Sequence, residues 1–142
     1  MDVRRLNGLQ ARCLRKILHI QPSFYSRISN RTVLQRAGQE LFSVQLLKQQ
    51  LLLFGLVARA ADHDPLRRLA FPSGLIWPLA DTYVRKQGRP KNEWTKMVYR
   101  EAYKIVGQNE SLEEAIGNEA RWKSTVARAY SRGTSSAAVR PV

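Results

Sequence analysis

The sequence predicts an all-α fold. Apolar residues recur at three- and four-residue steps in several stretches, and no stretch alternates between apolar and polar residues for long. With 142 residues, 44% of them hydrophobic, the chain is long enough to bury the core of one domain. We therefore expect a small irregular helical bundle of about five helices, with a long central loop and a disordered C-terminal tail.

The first predicted helix covers residues 4–19, and Pro22 closes it. A short helix follows within residues 28–38, with Ser29 or Asn30 as its N-cap and Gly38 just past its end. The first helix is amphipathic: cations occupy much of the circumference that its apolar residues leave. The apolar positions are Leu6, Leu9, Cys13, Leu14, Ile17 and Leu18, and the cations are Arg4, Arg5, Arg12, Arg15 and Lys16.

Residues 43–61 predict a central and largely buried helix. Only Lys48 and Arg59 are charged in this stretch, and its apolar residues form a wide stripe. Asp64 followed by Pro65 then predicts the N-cap and the first residue of a further short helix. The main stripe consists of Val44, Leu47, Leu51, Phe54, Ala58 and Ala61.

The second half of the chain begins with a predicted loop, because residues 72–90 are rich in proline and glycine and lack periodicity. A helix from Trp94 to about Gly107 and another opened by a capping box, SLEE at 111–114, form a C-terminal pair. The predicted organisation is an N-terminal helical unit at 1–71, a basic loop at 72–90, a helix pair at 91–130 and a disordered tail at 131–142.

The charge balance is the main indication of function. There are 24 Lys and Arg against 11 Asp and Glu, a formal charge of +13, and the sequence pI is about 10.7. Such an excess favours polyanions, with nucleic acid first and an anionic membrane surface second. It also suits a fragment whose basic face once met the rest of a larger protein.

The sequence lacks the patterns of common catalytic and metal sites. Two histidines and one cysteine, Cys13, cannot build an ordinary structural zinc site or an intrachain disulfide. Asp62 and Asp64 are explained by a helix end and an N-cap. No glycine-rich phosphate loop or nucleophile elbow is present. We therefore expect no enzyme activity, no cofactor and no metal.

A basic turn precedes the last two predicted helices. The core of KQGRPK, residues 86–91, resembles the short hook that lays an arginine into A·T-rich minor grooves, although Gln87 replaces that hook's second arginine. Glycine and proline equally suit a turn and a helix start. The two interpretations are compatible, because the turn leaves three cations to face phosphates: Lys86, Arg89 and Lys91.

Five segments follow one another in an order that resembles one protein region. They are RCLRKILHI, RISNRTVLQRAGQ, LLKQQLLLFGLVARAADHDPLRRLAF, GRPKNEW and EARWKSTV. They look like the segment C-terminal to the polymerase domain of non-LTR (LINE-type) retrotransposon reverse transcriptases, and the resemblance covers roughly residues 10–128. The match falls on Arg12, Leu14, Arg15, Ile17, Gly38, Leu53, Gly55, Val57, Pro65, Arg67, Gly88, Arg89, Pro90, Trp94, Arg121 and Trp122.

The resemblance implies a helical thumb-proximal or post-thumb extension of an enzyme that nicks target DNA and copies its own RNA from the nick. Such a region is expected to help hold template RNA and target DNA. The polymerase signature, an aromatic and a variable residue before two aspartates, is missing here. An endonuclease-like acidic constellation and the cysteine–histidine knuckle of some members are missing too. No catalytic residue is carried over.

We therefore expect a non-catalytic basic helical fragment, derived from such a reverse transcriptase, that binds RNA or DNA backbone largely without sequence preference. Its partners would be nucleic acid and the missing polymerase portion, in the nucleus or cytoplasm. Trp94 or Tyr83 would be available for stacking, although Trp94 and Trp122 also suit core packing. The expected phosphate-binding residues are Arg12, Arg15, Lys16, Arg67, Arg68, Arg85, Lys86, Arg89 and Lys91.

Two alternatives remain open. The Arg-rich, amphipathic N-terminus is also typical of a mitochondrial transit peptide, and would suit a small helical interaction protein, including a mitochondrial one, that meets a membrane or partner. No integral membrane association is expected, because the longest uncharged apolar run, residues 51–58, is too short to cross a bilayer. The other alternative is a decayed, non-functional remnant that exposes apolar surface once covered by a neighbour.

Overall fold

The protein is α-helical in a computed structural model that describes residues 3–71, 74–76, 94–107 and 111–131. The all-α prediction is confirmed for these ranges, which hold eight helices and no strand. Apart from 74–76, the predicted loop lies outside the described residues, as does the predicted tail after residue 131. The helices are α1 (Val3–Ile17), α2 (Ser23–Ser26), α3 (Asn30–Ala37), α4 (Phe42–Arg59), α5 (Pro65–Ala70), α6 (Trp94–Val106), α7 (Leu112–Gly117) and α8 (Glu119–Ser131).

The described ranges contain more helices than the five expected. α2 is a single turn that the sequence pattern did not indicate. The helix predicted from residue 111 onward is divided into α7 and α8 at Asn118, whose φ of −100° and ψ of 114° are extended. Ser111 is the N-cap of α7, but its side chain makes no capping hydrogen bond, so the predicted capping box is wrong.

Three other predicted helix ends are confirmed. The Ser29 hydroxyl accepts a hydrogen bond from the Thr32 N–H at the start of α3, and Gly38 ends that helix with a φ of 61°. The Asp64 carboxylate accepts from the N–H groups of Leu66 and Arg67 at the start of α5. These ends depend on residues within three positions of each other, which is why the local sequence predicts them.

The chain forms two compact units, an N-terminal unit of residues 1–47 and a C-terminal unit of residues 48–142. Their boundary lies inside α4, whereas the sequence pattern placed a boundary at residue 72. The first turn of α4 is bonded to α1. Its second half instead packs against aromatic residues that follow it in the chain, Phe71, Trp94 and Trp122.

In the N-terminal unit, α1 packs against α3, and two of its three buried residues are polar. Gln10, Ala11 and Arg15 are buried, whereas Leu9 and Ile17 of the apolar stripe are 52% and 70% exposed. The helix is therefore amphipathic as predicted, but only part of its apolar stripe is covered: Leu6, Leu14 and Leu18 are half-buried, and the rest of the stripe is exposed.

The polar side chains on the packed side of α1 bind backbone groups of the residues around the start of α4. The Gln10 amide nitrogen donates to the Glu40 carbonyl at 2.7 Å, and its oxygen accepts from the Phe42 N–H at 2.8 Å. The Asn7 amide oxygen accepts from the Ser43 N–H at 3.2 Å. Phe42 and Ser43 open α4, so α1 supplies partners for N–H groups that a helix start would otherwise leave unpaired.

In the C-terminal unit, Trp122 of α8 is fully buried against α4. Its indole N–H donates to the Leu51 carbonyl at 2.9 Å. Gly55 makes this approach possible, because a Cβ at that position would lie 2.4 Å from the indole Cδ1 and Nε1 atoms. Leu51 and Phe54 are also fully buried, so the second half of α4 belongs to the core of this unit. The helix is not largely buried as predicted, because Leu53 and Leu56 are exposed and its first half contains no buried residue.

Candidate nucleic-acid interface

The clearest basic surface of the described residues lies on α1. Arg5, Arg12 and Lys16 are exposed, and positions seven and four residues apart lie on the same side of a helix. The helix contains no acidic residue. We call these three residues the α1 basic row.

The N-terminal unit around this row is basic as a whole. Residues 1–47 contain eight Lys and Arg and two acidic residues, Asp2 and Glu40. Arg27, Arg31 and Arg36 are exposed as well. The unit therefore has an electrostatic potential that attracts anions from solvent.

Arg15, one of the predicted phosphate-binding residues, is turned into the protein. It is only 7% exposed. Its guanidinium donates to the carbonyls of Gln21 and Ile28, at 2.9 and 2.5 Å, and to the side chains of Ser26 and Asn30. This arginine holds the segment between α1 and α3, so its guanidinium is not available to phosphates.

Arg67 has a comparable structural role in the C-terminal unit. Its largely buried guanidinium donates to the Ala58 carbonyl near the end of α4, to the Gly74 carbonyl and to the Asp62 carboxylate at 3.1 Å. A cation at the C-terminal end of a helix is stabilised by the carbonyls exposed there. The guanidinium of Arg67 is therefore engaged within the chain as well.

The remaining predicted residues divide into three groups. Arg12, Lys16 and Arg68 are exposed, as phosphate binding requires. Trp94 is half-buried, with its ring centroid 6.5 Å from that of Phe54, which is core packing. Five predicted residues lie outside the described ranges: Tyr83, Arg85, Lys86, Arg89 and Lys91.

An apolar stripe lies beside the α1 basic row. It consists of Leu9, Cys13 and Ile17, all exposed and again four residues apart. The single turn of α2 adds Phe24 and Tyr25, which are 76% and 74% exposed. The N-terminal unit therefore shows large apolar side chains and cations on the same helix.

A second aromatic and basic face, which the sequence analysis did not identify, lies on α6. The rings of Tyr99 and Tyr103 are stacked, and Lys96 and Arg100 belong to the same side of the helix. Burial raises the pKa of the Tyr99 phenol above its ordinary value, and the charges of Tyr103 and Glu113 raise it further. Tyrosine and basic residues four apart in YREAYK could have indicated this face.

The described residues offer few other kinds of site. In these ranges no three His, Cys, Asp or Glu side chains come together as metal ligands. Within the same ranges no single helix is long and apolar enough to span a membrane, although α3 and α4 meet that test as a bent pair.

Comparison of the chain with protein-family models, with characterised proteins and with solved structures gave no significant match.

Proposed function

We propose that this chain is a non-catalytic nucleic-acid-binding helical protein that holds RNA or DNA through the phosphate backbone. The observation that carries the proposal is the α1 basic row on a helix without any acidic residue. Arg5 and Lys16 are separated by about 16 Å along the helix axis at 1.5 Å per residue. Binding neutralises phosphates and releases their counterions, and it carries no sequence information.

We further propose that the chain derives from the region that follows the polymerase domain in a non-LTR retrotransposon reverse transcriptase. The support is the order of the five segments in the sequence. Several residues of that match, such as Arg15, Gly55 and Trp122, have structural roles here, which is what a shared fold requires. Translation of the adjoining genomic frame tests the origin, because a polymerase signature upstream is the expected result.

The absence of catalysis is tested directly. Purified protein should extend no primer on RNA and cleave no nicked DNA with magnesium present. Activity that stays with the chain through purification, and disappears from a destabilised variant, would contradict the proposal.

The binding proposal is tested by the salt dependence of affinity. Fluorescence anisotropy measures binding to labelled duplex DNA and to RNA as the salt concentration varies. The double variant Arg12→Gln, Lys16→Gln should lower the slope of log affinity against log salt by about two on duplex DNA, since each lost contact accounts for about 0.9.

A matched control removes two charges that already have carboxylate partners. Lys104 lies 2.7 Å from Glu101, and Lys123 is ion-paired with Glu119. The variant Lys104→Gln, Lys123→Gln should change the slope by less than about one. Equal slopes for the two double variants would show that binding is not located on α1, and an absence of salt-dependent binding in the parent would reject the function.

The basic turn at 86–91 provides a further arm. Changing Lys86, Arg89 and Lys91 to alanine should lower the slope by about two to three on duplex DNA while leaving the melting temperature nearly unchanged. An unchanged slope with an intact fold would mean that the turn only starts a helix.

A second candidate function is supported by the exposed apolar stripe on α1. Leucine and isoleucine give little to a phosphate backbone, whereas a helix with apolar and basic faces can lie on an anionic membrane surface. Sedimentation with vesicles of phosphatidylcholine and phosphatidylserine, and with vesicles of phosphatidylcholine alone, tests this candidate. The membrane would be favoured if the parent binds the anionic vesicles and the double variant Leu9→Gln, Ile17→Gln does not, while both proteins keep the same affinity for nucleic acid.

A further inference from the structure

One side of α6 combines stacked aromatic rings with exposure to solvent. Tyr99 and Tyr103 are four residues apart, and their rings are nearly parallel, with centroids 6.4 Å apart and an interplanar angle of 24°. Tyr103 is 47% exposed. A tyrosine gains free energy when its ring is covered, so the outer face of this pair is a surface on which another ring can stack.

The cations of this side keep the same spacing as the rings. Lys96 precedes Tyr99 by three residues, and Arg100 precedes Tyr103 by three, and residues three apart are neighbours on a helix surface. Arg100 is exposed. A cation beside a ring thus repeats after four residues, or about 6 Å along the helix axis.

We propose that this side of α6 binds single-stranded nucleic acid, with a base stacked on Tyr103 and an adjacent phosphate held by Arg100. The inference rests on the proposed function and specifies which form of nucleic acid the chain prefers. Bases in a duplex are covered by their neighbours, whereas an unpaired base has a face available for an aromatic side chain.

The choice of Tyr103 follows from the charges around the pair. Glu113 places a negative charge near Tyr99, which disfavours a phosphate at that end. Lys104, beside Tyr103, is already paired with Glu101. Arg100 is therefore the residue of this side that we assign to the phosphate.

The test compares the affinity for oligothymidine with the affinity for a duplex whose strands have the same length. A length of about 20 nucleotides is longer than a typical single-strand binding site. The variant Tyr103→Leu keeps an apolar side chain and removes the ring. It should weaken binding to the single strand by about tenfold, which is the contribution of stacking on one base. Duplex binding should weaken by less than about twofold, because the bases of a duplex are already stacked on one another. The salt slope should not change, because no charge is lost.

Two further variants make the result specific. Tyr25→Leu, at an exposed tyrosine of α2, removes the same group elsewhere and should change neither affinity. Arg100→Gln should lower the single-strand slope by about 0.7, the value for one phosphate contact. Circular dichroism and melting curves of each variant establish that the fold is kept.

The outcomes separate this inference from the function on which it rests. If the parent binds with salt dependence but Tyr103→Leu leaves single-strand affinity unchanged, or weakens both forms equally, the stacking site is wrong and the proposed function stands. If the parent shows no salt-dependent binding to either form, both are overturned.

Discussion

Arg12 and Arg15 lie less than one turn apart on α1 and have opposite surroundings. Arg12 is exposed, whereas Arg15 donates to the carbonyls of Gln21 and Ile28 inside the protein. Both arginines contribute equally to the net charge that the composition gives. Only Arg12 is placed to meet a ligand, because the guanidinium of Arg15 already has its partners within the chain.

Removing these two arginines should therefore have different effects on stability. Arg15→Ala should lower the free energy of unfolding by about 2–3 kcal/mol, since it leaves buried carbonyls without their charged donor. Arg12→Ala should stay within about 0.5 kcal/mol of the parent, as exposed substitutions usually do. Urea titrations followed by circular dichroism measure both, and equal losses would contradict the assignment of Arg15 to the interior.

The helices show which features local sequence can predict. The ends of α3 and α5 were predictable because Ser29, Gly38 and Asp64 act on residues next to them. The buried side of α1 could not be predicted in this way, because the Gln10 side chain accepts a hydrogen bond from a residue 32 positions away. An apolar stripe predicts helix formation, but the choice between burying it and exposing it depends on such distant contacts.

The same limit applies to the candidate sites. The exposed cations of α1 could be predicted from the spacing of Arg12 and Lys16, since both lie on the polar circumference of a predicted helix. The assignment of Arg67 to phosphate could not be tested from the pattern, because the carbonyls that it binds belong to Ala58 and Gly74. Charge alone does not show what a side chain contacts.

The contact between α4 and α8 gives a prediction about glycine. Gly55→Ala would place a methyl group 2.4 Å from the Trp122 indole and should lower the free energy of unfolding by about 1–3 kcal/mol, as overpacking does. Gly8→Ala, in the interior of α1 with nothing within 4 Å, should instead raise it by about 0.5–1 kcal/mol. Thermal melting curves of both variants measure these changes in stability. If Gly55→Ala leaves the stability unchanged, the indole can move away at little cost.

The whole molecule carries 24 basic and 11 acidic side chains. A net charge this far from zero destabilises a compact state through self-repulsion, and the same field attracts polyanions. Salt screens both effects, with a Debye length of about 10 Å at 0.1 M. Stability and binding should therefore respond to salt in opposite directions.

Adding sodium chloride to the unliganded protein should raise its melting temperature while it weakens nucleic-acid binding. The variant Arg12→Gln, Lys16→Gln should melt higher than the parent in low salt, and the difference should close as salt is added. Melting curves across a salt series measure this. A melting temperature that falls with salt would mean that favourable ion pairs outweigh the repulsion.

The two amides of α1 that bind the start of α4 decide where that helix begins. α4 is rich in leucine, and Leu41, which precedes it, has no side chain that can cap a helix. Without partners from α1, the first N–H groups of α4 would have only water to bind, and the end of the helix would fray. Asn7 and Gln10 are three residues apart and engage two consecutive N–H groups, those of Ser43 and Phe42, so only one starting point satisfies both. They thus supply from another helix the caps that α4 lacks, and truncating both side chains should fray its first turn while the buried second half stays helical.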